Sequence, residues 1–536
     1  MSVATKTPGT APDDGAVLSR FMSNVSRRSQ RLWAAESDLE LAMYVSNTPH
    51  APRAPSAVSE GSDEPKEPAR LIDFEPGDPE DPRNWSNVRR SLLAVCMILL
   101  VVNSTFASSL PSGCADSIRE YFGVPQIKIT LLVTCYLIGY IVGPLAWAPM
   151  SEHFGRQWIM LVSYLGYVVF TIACAVAPTM DALIVFRFLQ GLCAASPISL
   201  VGGVFSDIFG DPLVRGRAIA AFSGATSIGP LMGPPVGGYV STRLGWRWAF
   251  WVNVLFGAVS LVYLLVVQCE TFRPVLMLRR ARRLRAEGHN VVCALDLSNR
   301  SFRSVYPTVL MRPFKFLFRE IIVAMICLYM SFIYGVLYMF FSSYSIIFGS
   351  VYHMGPGKVG LMMLPIGVGT MSSCAIMMYY DERKRVRLTR TGKTLTIEQD
   401  RLPLTALFTL LLPVALMWLA WTASASIPFV VPMLAGITFG LAFNAIFSGF
   451  FNYATDCYRI YSASVMAIMS MTRSVIGATF PLFTDAMYDR LGVHWATALL
   501  GFLAIGLGPI PFLFLKYGER LRANSAFCTS LATQDI

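Results

Sequence analysis

Charged residues are scarce in this chain. Only 14% of its 536 residues are Asp, Glu, Lys or Arg, whereas 54% are hydrophobic and the mean hydropathy is +0.52. Soluble globular proteins carry about 25% charged residues, so this composition excludes a soluble enzyme of this size. It indicates a polytopic membrane protein.

Metal-binding, disulfide and catalytic patterns are missing as well. The eleven cysteines are scattered singly without a CxxC motif, and no histidines stand at ligand spacing. We therefore expect no metal site and cysteines that pack as small residues. No Ser-His-Asp set, zinc-binding helix or haem motif is visible, so we do not expect an enzyme. Residues 392–394 resemble the end of a P-loop, but the upstream glycine is replaced by Arg387, which argues against an ATP-driven pump.

Carboxylates are absent from the interior of the long apolar runs. Asp207, Asp456 and Asp485 lie near the ends of such runs, whereas Arg187 and Arg473 lie within them. A buried site for a cation should contain a carboxylate that balances its charge. The pattern therefore favours a neutral amphiphile or an organic anion as ligand, and any titrating carboxylate would lie at a helix end.

Twelve apolar runs follow a polar N-terminal region. Each is long enough to cross about 30 Å of hydrocarbon as a helix. We therefore predict an all-α membrane protein with twelve transmembrane helices and both termini on one side. The runs lie at 91–110, 128–150, 157–177, 183–206, 215–241, 248–269, 320–349, 357–380, 403–423, 427–450, 461–484 and 494–516.

Basic loops orient these runs and divide them into two groups. The loops 270–319 and 381–402 are rich in Arg and fall on one side, which the positive-inside rule makes cytosolic. The net charge of +11 is therefore attributed to membrane orientation and lipid headgroups, with no nucleic-acid partner. Six runs, a long basic loop and six runs predict two six-helix bundles with a substrate site between them. The predicted segments are a disordered cytosolic tail (1–90), an N-terminal bundle (91–269), a basic linker (270–319), a C-terminal bundle (320–516) and a cytosolic tail (517–536).

One stretch, residues 215–239, is unusually rich in glycine and proline. On a helix, small residues at every fourth position form a stripe along which another backbone approaches closely. A membrane helix that is held by neighbouring helices tolerates prolines that would break a helix in water. We predict a kinked, closely packed membrane helix. Its first row is Ala221, Ala225, Gly229, Gly233 and Gly237, and its second row is Pro230, Pro234 and Gly238.

Several motifs resemble the signatures of the major facilitator superfamily. They are GPLAWAPMSEHFGR (143–156), RFLQGLCAASP (187–197) and the Gly-Pro repeat, which is similar to the motif of proton-antiporting exporters. Ala148 and Glu152 stand where the first motif usually has Gly and Asp. Finer matches resemble the fungal twelve-span drug:proton antiporter family. They are DPEDPRNWS (78–86), WRWAFWVN (246–253), ETFRPVLMLRRA (270–281), RPF (312–314) and FPLFTDAMYDRLGVHWA (480–496).

This resemblance, over roughly residues 73–520, implies the major facilitator fold and export of a small molecule. The expected protein is a monomer in the plasma membrane that uses a proton gradient and no bound cofactor. The alternative is a facilitative carrier or an importer of an organic anion or polyamine without proton coupling. A fixed channel fits the packed Gly-Pro helix less well.

Candidate site residues fall into three groups. Charges at one membrane face can pair in one conformation and separate in another, so they could act as a latch or in coupling, although a solvated loop explains such charges too. The latch and coupling group is Glu152, Arg156, Arg187, Asp207, Arg215 and Arg217. The antiporter-motif group is Gly229, Pro230, Gly233, Pro234, Gly237 and Gly238. Residues expected to line a substrate cavity, or else to pack helices, are Asn103, Tyr136, Tyr140, Gln190, Tyr334, Tyr338, Asn444 and Arg473.

Overall fold

The computed structural model describes residues 70–75, 77–293, 311, 313–391, 396–458 and 462–525. Long helices dominate these residues, and the one sheet among them is a pair of two-residue parallel strands. The elements are β1 (Arg70–Leu71), a short 3₁₀ helix (Pro82–Asn84), α1 (Asn87–Gly113), α2 (Ala115–Phe122), α3 (Gln126–Phe154), α4 (Arg156–Ala175), α5 (Met180–Ile208), α6 (Pro212–Leu244), α7 (Trp246–Val267), α8 (Arg273–Ala286), β2 (Val291–Val292), α9 (Ile321–Tyr344) with a π-helical end (Ser345–Val351), α10 (Pro356–Leu361), α11 (Leu364–Thr391), α12 (Ile397–Thr409), α13 (Leu411–Thr422), α14 (Val430–Tyr458), α15 (Ser462–Leu507) and α16 (Pro509–Ala523).

Ten helical segments of the described chain are long and apolar enough to cross a membrane. The last of them, Ser464–Ala523, is broken at Gly492, which has a φ of 74°, a backbone conformation that favours glycine. This segment therefore contains two spans. α6 is not among the ten because its many glycines and polar residues lower its hydropathy, yet its 33 residues exceed the length of a span. With these two additions the number is twelve, as predicted from the sequence.

The spanning helices pack in two groups of six. In the N-terminal half, α1 packs on α6 and α7, α3 packs on α5, and α4 packs on α5 and α7. In the C-terminal half, α9 packs on α15, α11 and α12 pack on α14, and α13 packs on α14 and α15. The halves meet where α6 contacts α10 and α11 and where α3 contacts α15. The predicted all-α fold of two six-helix bundles is confirmed.

The described residues before α1 begin at residue 70 and form β1 and the short 3₁₀ helix, so they fall within the predicted tail of residues 1–90. β1 pairs with β2, and the carboxylates of this segment lie against the arginines of α8. Asp78 forms an ion pair with Arg280, and Asp81 lies 3.2 Å from Arg273. The hydrogen bond from Arg280 lowers the pKa of the Asp78 carboxyl, so this contact persists at neutral pH and is lost only as the pH falls through the lowered value.

Candidate functional site

The two ends of the helix bundle differ in charge. The basic end carries α8 and the starts of α1, α4, α6, α9 and α12. The opposite end carries the turns at Gly123, Gly245 and Gly492 and the start of α10. Most of the charged pairs described below lie at the basic end, whereas the closest backbone contacts between halves lie at the opposite end.

An ion pair joins two predicted latch residues at the basic end. Arg156, the first residue of α4, lies with its Nε 2.5 Å from Oδ2 of Asp207 near the end of α5. Both side chains are mostly buried, at 13% and 15% exposed, and the hydroxyl of Thr271 also donates to Asp207 at 3.4 Å. The guanidinium fits because Gly203 faces it, where a Cβ would lie only 2.1 Å from Nη1 of Arg156. The pair therefore ties α4 to α5 within the N-terminal half.

Glu270, which was not among the predicted site residues, completes this cluster. Its carboxylate accepts hydrogen bonds from the backbone N–H groups of Arg156 at 3.0 Å and Gln157 at 3.4 Å, and it therefore caps the start of α4. Arg279 of α8 lies 3.8 Å from the same carboxylate. Gly155 leaves room for it, since a Cβ there would lie 2.1 Å from Oε2. Glu270 opens the ETFRP motif, so the sequence held a signal for it.

A matching pair occupies the corresponding helices of the C-terminal half. Arg401, near the start of α12, lies 2.7 Å from Asp456, near the end of α14. The buried carboxylate of Glu320 accepts a hydrogen bond of 3.0 Å from Tyr458 close by on α14. Each half thus carries an Arg–Asp pair between its third and fourth spans.

A further ion pair crosses between the halves at the basic end. Arg217 of α6 lies 2.9 Å from Glu382 of α11, and both side chains are more than half exposed. Exposed pairs contribute little free energy, so this contact can break at small cost. Arg215 is half-buried two residues earlier on α6. The side chain of Glu152, another residue of the predicted latch and coupling group, lies outside the described residues.

The first glycine row of α6 packs against α1 within the N-terminal half. A Cβ at Gly229 would lie 2.0 Å from Oγ1 of Thr105, and one at Gly233 would lie 2.1 Å from Oγ of Ser109. At Gly237 a Cβ would lie 2.6 Å from the Leu110 carbonyl oxygen. These positions tolerate only hydrogen in place of a side chain, so the row sets the distance between α1 and α6.

Pro230 in the second row leaves a carbonyl that α1 satisfies. Its oxygen accepts a hydrogen bond of 2.6 Å from the hydroxyl of Ser109. Proline at position 234 lacks the N–H that would bond this carbonyl along the helix. The Ser109 hydroxyl replaces that missing donor, which explains how α6 continues as a helix through its prolines.

The rest of the second row packs against α10 in the other half. A Cβ at Gly238 would lie 2.7 Å from the Gly357 nitrogen, and one at Gly360 would lie 2.5 Å from the Pro235 nitrogen. Tyr239 covers this contact, because its ring would lie 2.9 Å from a Cβ at Gly357. The halves therefore meet backbone to backbone at the opposite end. Gly233 lies outside this contact.

Arg187 is fully buried and its hydrogen bonds are almost all made. Its Nη1 donates to the Ala107 oxygen at 2.9 Å and to Oε1 of Gln190 at 2.8 Å. Its Nε donates to the Leu132 oxygen at 3.0 Å, and its Nη2 donates to the Ser108 oxygen at 3.1 Å. Four of the five N–H donors of the guanidinium thus tie α1, α3 and α5 together.

Proline explains one of these bonds. Position 111, four residues after Ala107, is a proline inside α1 and has no N–H to donate to the Ala107 oxygen. Arg187 supplies the missing donor. The guanidinium also lies 4.3 Å from the ring centre of Tyr136, which favours the buried charge.

Asn103 and Gln190, predicted to line a cavity, make hydrogen bonds inside the N-terminal half. The Asn103 amide donates to Tyr164 at 2.8 Å and accepts from Tyr167 at 3.3 Å. The Gln190 amide donates to Thr171 at 2.8 Å and accepts from Arg187. Their polar atoms are therefore engaged with the protein.

The predicted tyrosines form a belt of hydroxyl groups near the contact between halves. Tyr136 and Tyr140 stack 5.4 Å apart, and their hydroxyls bond the backbone and side chain of Ser104. Across the contact, the hydroxyl of Tyr338 lies 2.8 Å from that of Ser108, and Tyr334 donates to Tyr338 at 3.3 Å. The belt thus connects α1 to α9.

Arg473 and Asn444 differ from Arg187 because their polar atoms are largely unused. Arg473 is 6% exposed, and among the described residues it makes one long hydrogen bond, of 3.5 Å to Ser470, while its Nε has no partner. Its guanidinium lies among the rings of Tyr334, Phe447 and Phe451 at 5.0, 5.6 and 5.9 Å. Asn444 is 1% exposed and both of its amide atoms lack a described partner.

A separate apolar groove lies on the outer surface between α1, α6 and α7. None of the eight predicted cavity residues lines it. Its lining is Val102, Phe106, Gly229, Met232, Val236, Val252, Leu255, Phe256 and Val259. The groove is therefore distinct from the cluster around Arg473 and Asn444.

Comparison with known proteins accords with this architecture. The Major Facilitator Superfamily profile matches residues 92–481. MFS-type transporter traF of Penicillium crustosum is 36% identical over 456 residues, which cover 84% of this chain and 92% of that protein. The Citrinin biosynthesis cluster MFS transporter mrr1 of Monascus ruber is 36% identical over 462 residues, covering 85% and 92%. The Major facilitator superfamily multidrug transporter mdrA of Aspergillus fumigatus is 36% identical over 468 residues, covering 85% and 77%.

Solved structures share the fold at low sequence identity. The proton:xylose symporter XylE superimposes with a TM-score of 0.58 at 14% identity, covering 81% of this chain and 96% of that one. The human organic anion transporter MFSD10 gives a TM-score of 0.51 at 17% identity, covering 80% and 100%. Sequence profile, relatives and fold agree, and the chain belongs to the Major Facilitator Superfamily of multi-pass membrane transporters.

Proposed function

We propose that this transporter exports a small molecule, a secondary metabolite or drug-like compound, in exchange for protons. The relatives include a multidrug transporter and transporters named for metabolite biosynthesis clusters. Efflux pump FUB11 of Gibberella moniliformis is also 34% identical over 464 residues. These names support efflux as the direction of transport.

The basic end is the cytosolic end in this proposal. α8 carries six arginines within fourteen residues, and the positive-inside rule retains such segments in the cytosol. Both termini then lie in the cytosol, and an efflux role places the protein in the plasma membrane, where it acts as a monomer. The opposite end faces outward.

Alternating access is supported by the unequal contacts between the halves. The contact of Gly238 with Gly357 closes the opposite end through backbone atoms, whereas the exposed pair of Arg217 and Glu382 joins the halves at the basic end. Tight packing at one end and a weak ion pair at the other fit a structure closed to the outside. The glycine contact is the observation on which alternating access rests.

The Arg156–Asp207 pair is assigned the latch role in this scheme. The variant Asp207→Asn leaves a mostly buried guanidinium without its counterion, so we expect transport to fall about tenfold or more. Exchanging the charges, Arg156→Asp with Asp207→Arg, is expected to recover part of that loss. Transport assays on equal amounts of folded protein test this. A double variant no better than either single variant would contradict a paired role.

Transport without proton coupling is the alternative to antiport. The spanning helices place arginines near the membrane centre, but their described carboxylates lie toward helix ends, as Asp207 and Asp456 do. A facilitative carrier, or an importer of an organic anion without proton coupling, is favoured by that arrangement. The polyamine version of this alternative is disfavoured because a polycation would face Arg473.

One experiment separates these schemes. Metabolites of cells with and without the gene are compared, and a compound retained by the deletion strain is loaded into proteoliposomes that contain the full chain. Antiport predicts that collapsing an imposed pH gradient with a protonophore slows transport against a concentration gradient at least about tenfold. Equal rates with and without the pH gradient would favour the facilitative carrier.

A further inference from the structure

We propose that Arg473 and Asn444 form the anion-binding part of the substrate site, which takes planar aromatic carboxylates. The inference rests on the proposed export function for its biological meaning, but the binding itself can be tested without transport. It specifies a substrate class and the two side chains that select it.

The first support is the contrast between two buried arginines. Arg187 uses four N–H donors on protein acceptors, whereas Arg473 has one long hydrogen bond to Ser470 and no ion pair with a described carboxylate. A buried guanidinium with unused donors is costly. Arg187 therefore has a sufficient structural reason to be where it is. Arg473 lacks one among the described residues.

The state of Asn444 is a second observation, separate from that on Arg473. Both its amide nitrogen and its amide oxygen are buried without a described partner. It is the middle residue of the 29-residue α14 and precedes Phe447 and Phe451 by three and seven positions. Residues at these spacings share one helical face. Asn444 therefore lies on the face of α14 whose aromatic rings surround Arg473.

The rings define the remainder of the ligand. Phe447 stacks on Phe443 at 4.5 Å and lies 6.1 Å from Tyr334, so flat surfaces flank the guanidinium. Aromatic faces recover part of the cost of the buried charge when the site is empty, and they also stack planar ligands. A guanidinium and an amide N–H beside such faces match the carboxylate and ring of an aromatic acid.

The location of this cluster fits a transported ligand. The ring of Tyr334 lies beside the Arg473 guanidinium, and its hydroxyl donates to Tyr338. The Tyr338 hydroxyl is in turn hydrogen-bonded to Ser108 of the other half. A ligand held here would lie near mid-membrane and beside the contact between halves. Binding at this position would affect both halves and could therefore shift the equilibrium between their two arrangements, as transport requires.

The test uses the full-length protein purified in detergent. Benzoate, naphthalene-1-carboxylate and anthracene-9-carboxylate are each compared with the isosteric carboxamide by thermal shift, titrated to give a Kd. We expect at least one carboxylate to bind at least about tenfold more tightly than its amide. If no carboxylate binds more tightly than its amide, the proposal is overturned.

Variants assign that preference to the two side chains. Arg473→Gln is expected to abolish it and Arg473→Lys to retain part of it, while Asn444→Asp should remove it by pairing with the guanidinium. Arg490→Gln, the same change at an exposed arginine of α15, should keep the preference. Retention of the preference in a folded Arg473→Gln protein would overturn the proposal. Carboxylate-selective binding without export in proteoliposomes would count against the export function alone.

Discussion

Replacing Gly238 by leucine is expected to reduce transport at least about tenfold while the protein remains folded in the membrane. A side chain at this position meets the Gly357 nitrogen and the Pro356 carbonyl, and a Cβ alone would lie 2.7 Å from each. Backbone atoms of α10 cannot move aside as a flexible side chain can. The substitution therefore disfavours the state in which the opposite end is closed, by about 1–3 kcal/mol or more for such overpacking.

Two other glycines of α6 provide the controls. Gly216 lies on the same helix, and a Cβ there would have no neighbouring atom within 4 Å, so Gly216→Leu should transport normally. Gly233→Leu should instead reduce the amount of folded protein, because Gly233 packs on α1 inside one half. Transport per molecule and the monodisperse yield from detergent distinguish these outcomes. Normal transport by Gly238→Leu would refute the closing role of the contact.

Substitution of Arg187 by glutamine is expected to destabilise the fold by about 3 kcal/mol or more. The change removes the donors to the Ala107, Ser108 and Leu132 oxygens and leaves Gln190 without its cationic partner. Arg187→Lys should rescue little, because an ammonium on a flexible stem does not reproduce the planar fork of donors. A lower Tm and a lower yield of purified protein are the measurements.

A second substitution shows whether the bond to Ala107 carries this effect. Pro111→Ala restores an N–H that can bond the Ala107 oxygen along α1. We therefore expect the Pro111→Ala and Arg187→Gln double variant to be more stable than Arg187→Gln alone. If Arg187→Gln has a wild-type Tm and loses only transport, Arg187 has a coupling role instead of a structural one.

Much of the fold follows from local sequence. Long apolar runs predict spanning helices because hydrocarbon offers the backbone N–H and C=O groups no hydrogen-bond partners outside the helix. The basic loop at 270–319 separates the first six of these runs from the last six. The glycine spacing on α6 predicts its stripes, because helical periodicity alone decides which residues share a face. What the spacing could not give is the partner of each stripe. Gly233 and Gly237 pack on α1, and Gly238 packs across the contact between halves.

The site was less predictable because it joins residues far apart in sequence. Glu382 lies in a charged run whose pattern distinguishes no member, yet it pairs with Arg217, 165 positions earlier. Phe447 and Phe451 look like ordinary apolar residues in the sequence, but α15 brings the guanidinium of Arg473 close to both rings. Asn103 was expected to line a cavity, but whether an amide faces a cavity or a tyrosine depends on tertiary packing.

Opening of the opposite end during each cycle is the central claim, and a disulfide across that end tests it most directly. In a transport-competent background without native cysteines, Tyr239→Cys and Gly357→Cys place two thiols where the Tyr239 ring now contacts α10. We predict that oxidation reduces transport to background, that a reductant restores it, and that neither single variant responds. Transport at the wild-type rate by the fully cross-linked protein would contradict the account.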